Sequence, residues 1–134
     1  MTVTGETFTL ARTFDTPTLF RFSAVTWNAH RIHYDEEFAL SQGLPGVVVQ
    51  AHLHGATLAE AVLRWAGAGA RLRTLEWRNT APVTAGQSVT VHGTVTETER
   101  VDAELLATCD LVEVDDDGNI TVRGSATVAL RRSL

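Results

Sequence analysis

Between Phe22 and Asp35 the chain reads Phe-Ser-Ala-Val-Thr-Trp-Asn-Ala-His-Arg-Ile-His-Tyr-Asp, which puts Asn28, His30, His33 and Asp35 within eight residues. Apolar runs flank the segment. An imidazole titrates near neutrality, so His33 and His30 can each take and return a proton at physiological pH. Asn28 accepts no proton, but its amide can hold a water molecule or orient an imidazole. Asp35 precedes Glu36-Glu37-Phe38 and reads as the cap of a short helical turn. A loop this dense in acid/base groups is a candidate proton-transfer site, the bland alternative being a loop that is merely solvated. The remaining histidines point elsewhere. His52 and His54 lie two apart on a helical stretch and so face different sides, which argues against a shared metal ion. His92 falls on a strand and is expected to be exposed. The single cysteine, Cys109, allows neither an intrachain disulfide framework nor a cysteine-built zinc cluster and reads as a buried, inert thiol.

The elements that must position these groups are legible in the hydrophobic period. Phe8 to Phe14 alternates as a first strand. Asp15-Thr16-Pro17 offers a helix start or a turn, followed by Phe20, Phe22 and an irregular polar segment from Asn28 to Glu37. Gly43-Leu44-Pro45-Gly46 is a turn. Gln50 to Ala66 is the one strong helix, rich in Ala and Leu and stopped by Gly67 and Gly69. Its apolar residues occupy nearly the whole circumference, so a buried helix is expected. Strands then follow at Arg71–Asn79, Ser88–Thr98, Ala103–Val114 and Asn119–Arg131, the last two joined by an Asp117-Gly118 hairpin turn. Ile120, Val122, Gly124, Ala126, Val128 and Leu130 share one face of the last strand. Strand, loop, buried helix and four antiparallel strands predict an α+β fold: a single hot dog, with a curved antiparallel sheet wrapped around one long central helix. Open sheet edges commonly pair with a second copy, so a homodimer is expected.

The Phe22–Asp35 segment resembles the signature of the MaoC-like hydratase/dehydratase family, and within it the type 2 3-hydroxyacyl-thioester dehydratases. The broad family motif runs Asp-x-Asn-Pro-x-His-x-Asp. His33 falls on its catalytic histidine, Asp35 on the downstream aspartate, Asn28 on the catalytic aspartate, His30 on the asparagine and Arg31 on the proline. The narrower subgroup favours Phe-Ser-Ala-x-Thr-x-Asn-x-His-Arg-Ile-His-Tyr-Asp, matched here almost throughout. Gly43 to Ala51 is similar to the family's Gly-Tyr-Pro-Gly-x-Val-Val-(His/Gln)-Gly, which begins the central helix and supplies a backbone N–H to the thioester carbonyl; Ala51 replaces the usual glycine and His52 the usual proline. Arg78 to Gln87 resembles the Pro-Val-x-x-Gly turn of these hot dogs. The resemblance implies a hydro-lyase that adds or removes water across the 2,3 double bond of an enoyl thioester carried on coenzyme A or acyl carrier protein. It implies His33, Asn28 and His30 as the catalytic set and Ala51, Gln50, Val49 and Gly46 as substrate-binding, with no metal and no further cofactor. Alanine at position 51 keeps the donor but crowds the approach.

Composition agrees with one soluble domain spanning residues 1–134. A 134-residue chain of net charge −5, with 44% hydrophobic and 20% charged residues, is ordinary for a globular protein. All 11 basic residues are arginines, and they are scattered, so no basic stripe for nucleic acid exists. No apolar stretch approaches the ~18 residues of a membrane span. The first residues carry no basic segment followed by an apolar run, so a cytoplasmic location is expected. Two other readings share the fold. A hot-dog thioesterase needs a carboxylate at the helix or a nearby loop, and Glu60 is the only acid within the helix. A non-catalytic acyl-binding half of a heterodimer would account for Asn28 and Ala51.

Overall fold

The structure, a computed structural model, describes residues 3–131. Strand β1 (Thr7–Thr13) is followed by Asp15, whose carboxylate accepts the Thr18 N–H at 2.9 Å and starts helix α1 (Thr16–Thr26). Pro17 occupies its first turn, where a missing N–H costs nothing. A single 3-10 turn (Arg31–His33) leads to helix α2 (Glu36–Ser41). Asp35 caps α2 as expected, accepting the Phe38 N–H at 3.1 Å. The region between β1 and the long helix is therefore more ordered than the sequence suggested. Its helices are short and without a broad apolar stripe, and packing supplies what periodicity does not show. Leu19 and Ala39 are buried with Phe14, Val47, Val49, Val83 and Val89 in a cluster of their own.

Helix α3 (Ala51–Ala66) lies against a five-stranded sheet of β1, β2 (Arg71–Asn79), β3 (Ser88–Val101), β4 (Glu104–Asp115) and β5 (Ile120–Leu130). The order is β1-β3-β4-β5-β2, and every pair is antiparallel. Thus β3, β4 and β5 form a meander, while β1 and β2 are its two edges. Gly118 turns the β4–β5 hairpin with φ of 83°. This is the expected hot dog, a curved sheet around one long helix.

The main core joins Leu58, Ala61, Val62 and Ala66 of α3 to Val91, Val95, Ala107, Cys109, Leu111, Val122, Ala126 and Val128 of the sheet. Leu58 and Val62 are fully buried, each stabilising the fold by about 1.5–3 kcal/mol. Cys109 is buried too, and desolvation, with Asp110 adding to it, pushes its thiol up to about 11. Helix α3 departs from expectation in one respect: it is buried on one side only. Ala51, His52, Ala56 and Leu63 are exposed, because a single sheet covers one face of a cylinder.

One close approach sets the position of the helix start. A Cβ on Gly55 would lie 2.5 Å from the Trp77 ring, so glycine lets β2 press directly onto α3. The Trp77 Nε1–H then donates to the Ala51 carbonyl at 3.1 Å. The edge strand is thereby fastened to the first turn of α3, beside the region where the histidine loop arrives.

Candidate active site

Helix α1 ends at Trp27, a non-glycine residue with φ of 59°, and the Asn28 N–H donates back to the Ser23 carbonyl at 2.9 Å. This left-handed cap reverses the chain and leads Asn28 toward α3. The Asn28 Oδ1 accepts the His30 N–H at 3.3 Å. Beyond it, the 3-10 turn is fixed to the segment before α3: the Val48 N–H donates to the Ile32 carbonyl at 3.0 Å. Val49 in turn donates to Val83 at 2.8 Å, so three stretches of chain converge where α3 begins.

His33 is buried, and its Nδ1 lies 2.7 Å from the Val48 carbonyl oxygen. A carbonyl only accepts, so Nδ1 carries the hydrogen and, in the neutral ring, Nε2 keeps its lone pair. Burial lowers the His33 pKa below the ordinary 6.5; the Val48 bond opposes this and the nearby His30 adds to it. The neutral imidazole, with Nε2 basic, is the form the site favours at pH 7.

His33 shares a cavity of about 580 Å³ with Asn28, Ile32, Val48, Val49, Ala51, His52, His54, Asn79, Thr80, Ala81 and Pro82. The start of α3 opens into it. Gln50 occupies the N-cap position but makes no capping bond with its side chain. The first bonds back to the Gln50 carbonyl come from Leu53 and His54, at 3.0 and 3.1 Å. The N–H groups of Ala51 and His52 therefore precede the intrahelical ladder at the positive end of a helix dipole, an arrangement suited to developing negative charge.

The other sequence candidates are placed differently. His30 is exposed, its ring 6.1 Å from that of His33, and its Nδ1 accepts the Ile32 N–H at 3.4 Å as the cap of the 3-10 turn. The fully buried Gln50 side chain turns away, donating to Leu19 O at 2.7 Å and Ser23 Oγ at 2.9 Å. It ties α1 to α3 instead of lining the His33 cavity. Gly46 borders a separate cavity of about 630 Å³ with Phe20, Tyr34 and Pro45. Asp35 is held by Arg31 at 2.8 Å; that bond and the Phe38 N–H lower its pKa. His52 is exposed and packs edge-on against Trp77, while His54 is buried, yet both border the His33 cavity. His92 is exposed, as expected.

The family model for "Hydroxyacyl-thioester dehydratase type 2" matches residues 2–85, which takes in the histidine loop and the whole of α3. The chain belongs to this family. It is 56% identical over 43 residues to the mesaconyl-C(4)-CoA hydratase of Chloroflexus aurantiacus, a match covering 31% of this chain and only 15% of that protein. Its fold is similar to that of an (R)-hydratase from A. caviae involved in PHA biosynthesis, with a TM-score of 0.89 and 22% identity over 96% of this chain and 97% of the other. A chain of the ChsH1–ChsH2 complex from Mycobacterium tuberculosis superposes with a TM-score of 0.88 at 24% identity, covering 98% of this chain and all (100%) of that one.

Family membership leaves one feature of the cavity unaccounted for. His54 Nδ1 lies 2.9 Å from Glu113 Oε2 and 3.1 Å from Oε1, and Thr121 Oγ1–H donates to the same carboxylate at 2.7 Å. The His54 and Glu113 side chains are 3% and 0% exposed. The sequence did hold a signal for this pair. Ala107, Cys109 and Leu111 are the inward positions of β4, and Glu113 continues their period of two, placing an acid where the core lies. Asn79 and Thr80 reach the cavity because β2 ends beside α3, which no local pattern announces. Among the described residues, no group of three or more His, Cys, Asp or Glu side chains is placed to hold a metal ion, and no helix is long and apolar enough to cross a membrane.

Proposed function

We propose that this chain is a hydro-lyase that adds water to, or removes it from, the 2,3 double bond of an enoyl thioester. The observation that carries the reading is the arrangement of His33: Nδ1 fixed on Val48, the ring held neutral by burial, and Nε2 free in the cavity that also contains the α3 N-terminus. In hydration, a water molecule held by the Asn28 amide gives a proton to His33 Nε2 as its oxygen bonds to C3. The π electrons of the double bond move toward C2 and onto the thioester oxygen, where the Ala51 N–H and the helix dipole stabilise the enolate. The imidazolium then returns its proton to C2, leaving a 3-hydroxyacyl thioester and a neutral His33. Dehydration is the reverse. One residue handles both proton transfers, which suits a site in which Asn28 does not titrate.

The acyl group is carried on coenzyme A or acyl carrier protein, and water is the only co-substrate the cycle needs. The activities named for the hydratases reported above support this reading. Residues 1–134 are proposed to act as one hot-dog unit in the cytoplasm. A homodimer is the proposed assembly, with a heterodimer of related hot dogs as its alternative; the ChsH1–ChsH2 neighbour is itself a complex of two named chains. Thioesterase chemistry is disfavoured by Glu60, which pairs with Arg12 at 2.8 Å and Arg64 at 3.2 Å and is not among the residues lining the His33 cavity. Incubation with enoyl-CoA and acyl-CoA tests the assignment: loss of the conjugated thioester absorbance is expected, while release of free thiol would overturn it.

A further inference from the structure

Asn28 borders two cavities. One it shares with His33 and the start of α3. The other, of about 190 Å³, is walled by Phe20, Ala24, Trp27, Ala29 and Tyr34 and has no task in the cycle just described. The Tyr34 hydroxyl donates to the Ala29 carbonyl at 2.8 Å, and Ser23 Oγ accepts from Gln50 at 2.9 Å, so the pocket offers a ligand mostly carbon surface. Phe20 and Tyr34 stand edge to face at 6.3 Å, and an incoming ring would meet both an edge and a face. Trp27 and Phe20 are 91% and 62% exposed, so their rings bury little against the chain itself. Trp27 also holds a left-handed backbone, φ of 59°, which is costly for a residue with a Cβ. A bulky, exposed side chain in a strained conformation adds nothing to the fold, and such strain gathers at sites that hold ligands.

In the proposed cycle the thioester carbonyl lies at Ala51 and C3 lies beside the water on Asn28. The substituent on C3 points away from the carbonyl and past Asn28, where the second pocket begins. An apolar cavity of roughly 150 Å³ is enough to hold benzene, so a pocket of about 190 Å³ takes one six-membered ring and leaves little room for a long chain. Resting on the hydratase reading, we propose that Trp27 is a specificity-determining residue and that the preferred substrates carry an aromatic ring on C3, seated among Phe20, Trp27 and Tyr34. Burial of the ring and its contacts with the three aromatic side chains provide the selectivity.

The test uses the full chain and the dehydration direction. 3-Hydroxy-3-phenylpropionyl-CoA loses its C3 hydroxyl and a C2 proton as water to give cinnamoyl-CoA; 3-hydroxybutyryl-CoA gives crotonyl-CoA in the same way. The intrinsic reactivity of the two differs, but that difference cancels when their ratio of kcat/KM is compared between variants. The wild-type ratio should exceed that of Trp27→Asn by about tenfold, chiefly through KM. Asparagine accepts the left-handed conformation, so this variant removes the indole and keeps the cap. Trp27→Phe should restore most of the preference. Ala24→Leu, at an exposed helix position, fills the pocket instead of emptying it and should lower the ratio as well. Calorimetry with the unreactive 3-phenylpropionyl-CoA and propionyl-CoA reads ring recognition without turnover, and the ring should tighten binding about tenfold in the wild type and less in Trp27→Asn. That pattern without dehydration of either hydroxyacyl thioester would leave the ring site standing and sink only the hydratase reading. Equal ratios in wild type, Trp27→Asn and Ala24→Leu would overturn the assignment of Trp27. So would light scattering that finds a wild-type dimer and a Trp27→Asn monomer with ring preference unchanged, because the face would then belong to a second copy.

Discussion

At the scale of single residues, His33 makes the sharpest commitments. Because His33 is the group proposed to exchange protons, its loss in His33→Ala should lower hydration turnover by about 10²–10⁴-fold. Its pKa is depressed by burial below 6.5, so the acidic limb of kcat/KM should fall below pH 6.5; a limb at or above that value would contradict a buried neutral base. The same depression has a sign for stability. The unfolded chain binds the proton more tightly than the folded one, so folding free energy should decline as pH drops from about 6.5 toward the lowered value. Measuring chemical denaturation across that interval in wild type and His33→Gln isolates the contribution. Asn28 separates the hydratase reading from the non-catalytic one. Asn28→Ala should cost less than His33→Ala if the amide only positions water. Asn28→Asp should retain activity with an altered pH profile, because a second titrating group enters the site. An inactive wild type switched on by that change would mark a non-catalytic subunit. Much of this site was legible in the sequence, since His33, Asn28 and Ala51 all border one cavity. The pairing of His54 with Glu113 was not: the inward place of Glu113 on β4 is readable, but the two stand 59 positions apart and only the sheet brings them together.

At the scale of elements, the open start of α3 depends on where Gln50 sends its side chain. By donating to Leu19 and Ser23 it joins α1, and so Asn28, to the helix proposed to face the substrate carbonyl. Its Oε1 is buried without a partner, which makes this linkage costly to hold. Gln50→Leu would strand the buried Leu19 carbonyl and Ser23 hydroxyl, and a loss of about 1–3 kcal/mol is expected, readable as a lower denaturation midpoint. At the other end of α1, the left-handed Trp27 is 91% exposed and has little packing to lose. Trp27→Gly should raise stability by about 1 kcal/mol by relieving the backbone; a fall would show that the indole is needed elsewhere. The strands and α3 were readable because each carries a sustained period. Helix α1 was not, because Thr16–Thr26 buries only Leu19 and Ser23 and leaves no apolar stripe to read.

At the scale of the whole molecule, pairing order escaped the sequence. Local alternation marks a strand but not its neighbour, and β2, which precedes the meander in the chain, lies beyond β5 at the far edge. That arrangement leaves β1 and β2 as open edges and one side of α3 uncovered, with Ala51, Ala56 and Leu63 in solvent. A sheet edge and an apolar helix face left bare call for a partner. The chain is expected to run as a dimer by light scattering at micromolar concentration. A monomer that hydrates enoyl-CoA at full rate would refute the proposed assembly.

The thiol of Cys109, sealed in the middle of β4 between sheet and helix, gives the protein a label-free clock for its own opening. Raised to about 11, it is neither ionised nor reachable while the fold is closed. Modification by a small thiol reagent must therefore wait for the sheet to part from the helix. Under conditions where closing outruns labelling, its rate reports the population of open molecules. Ligand that binds only the closed form should slow the reaction in proportion to its occupancy, so a single native cysteine can rank acyl thioesters by affinity whether or not they are turned over.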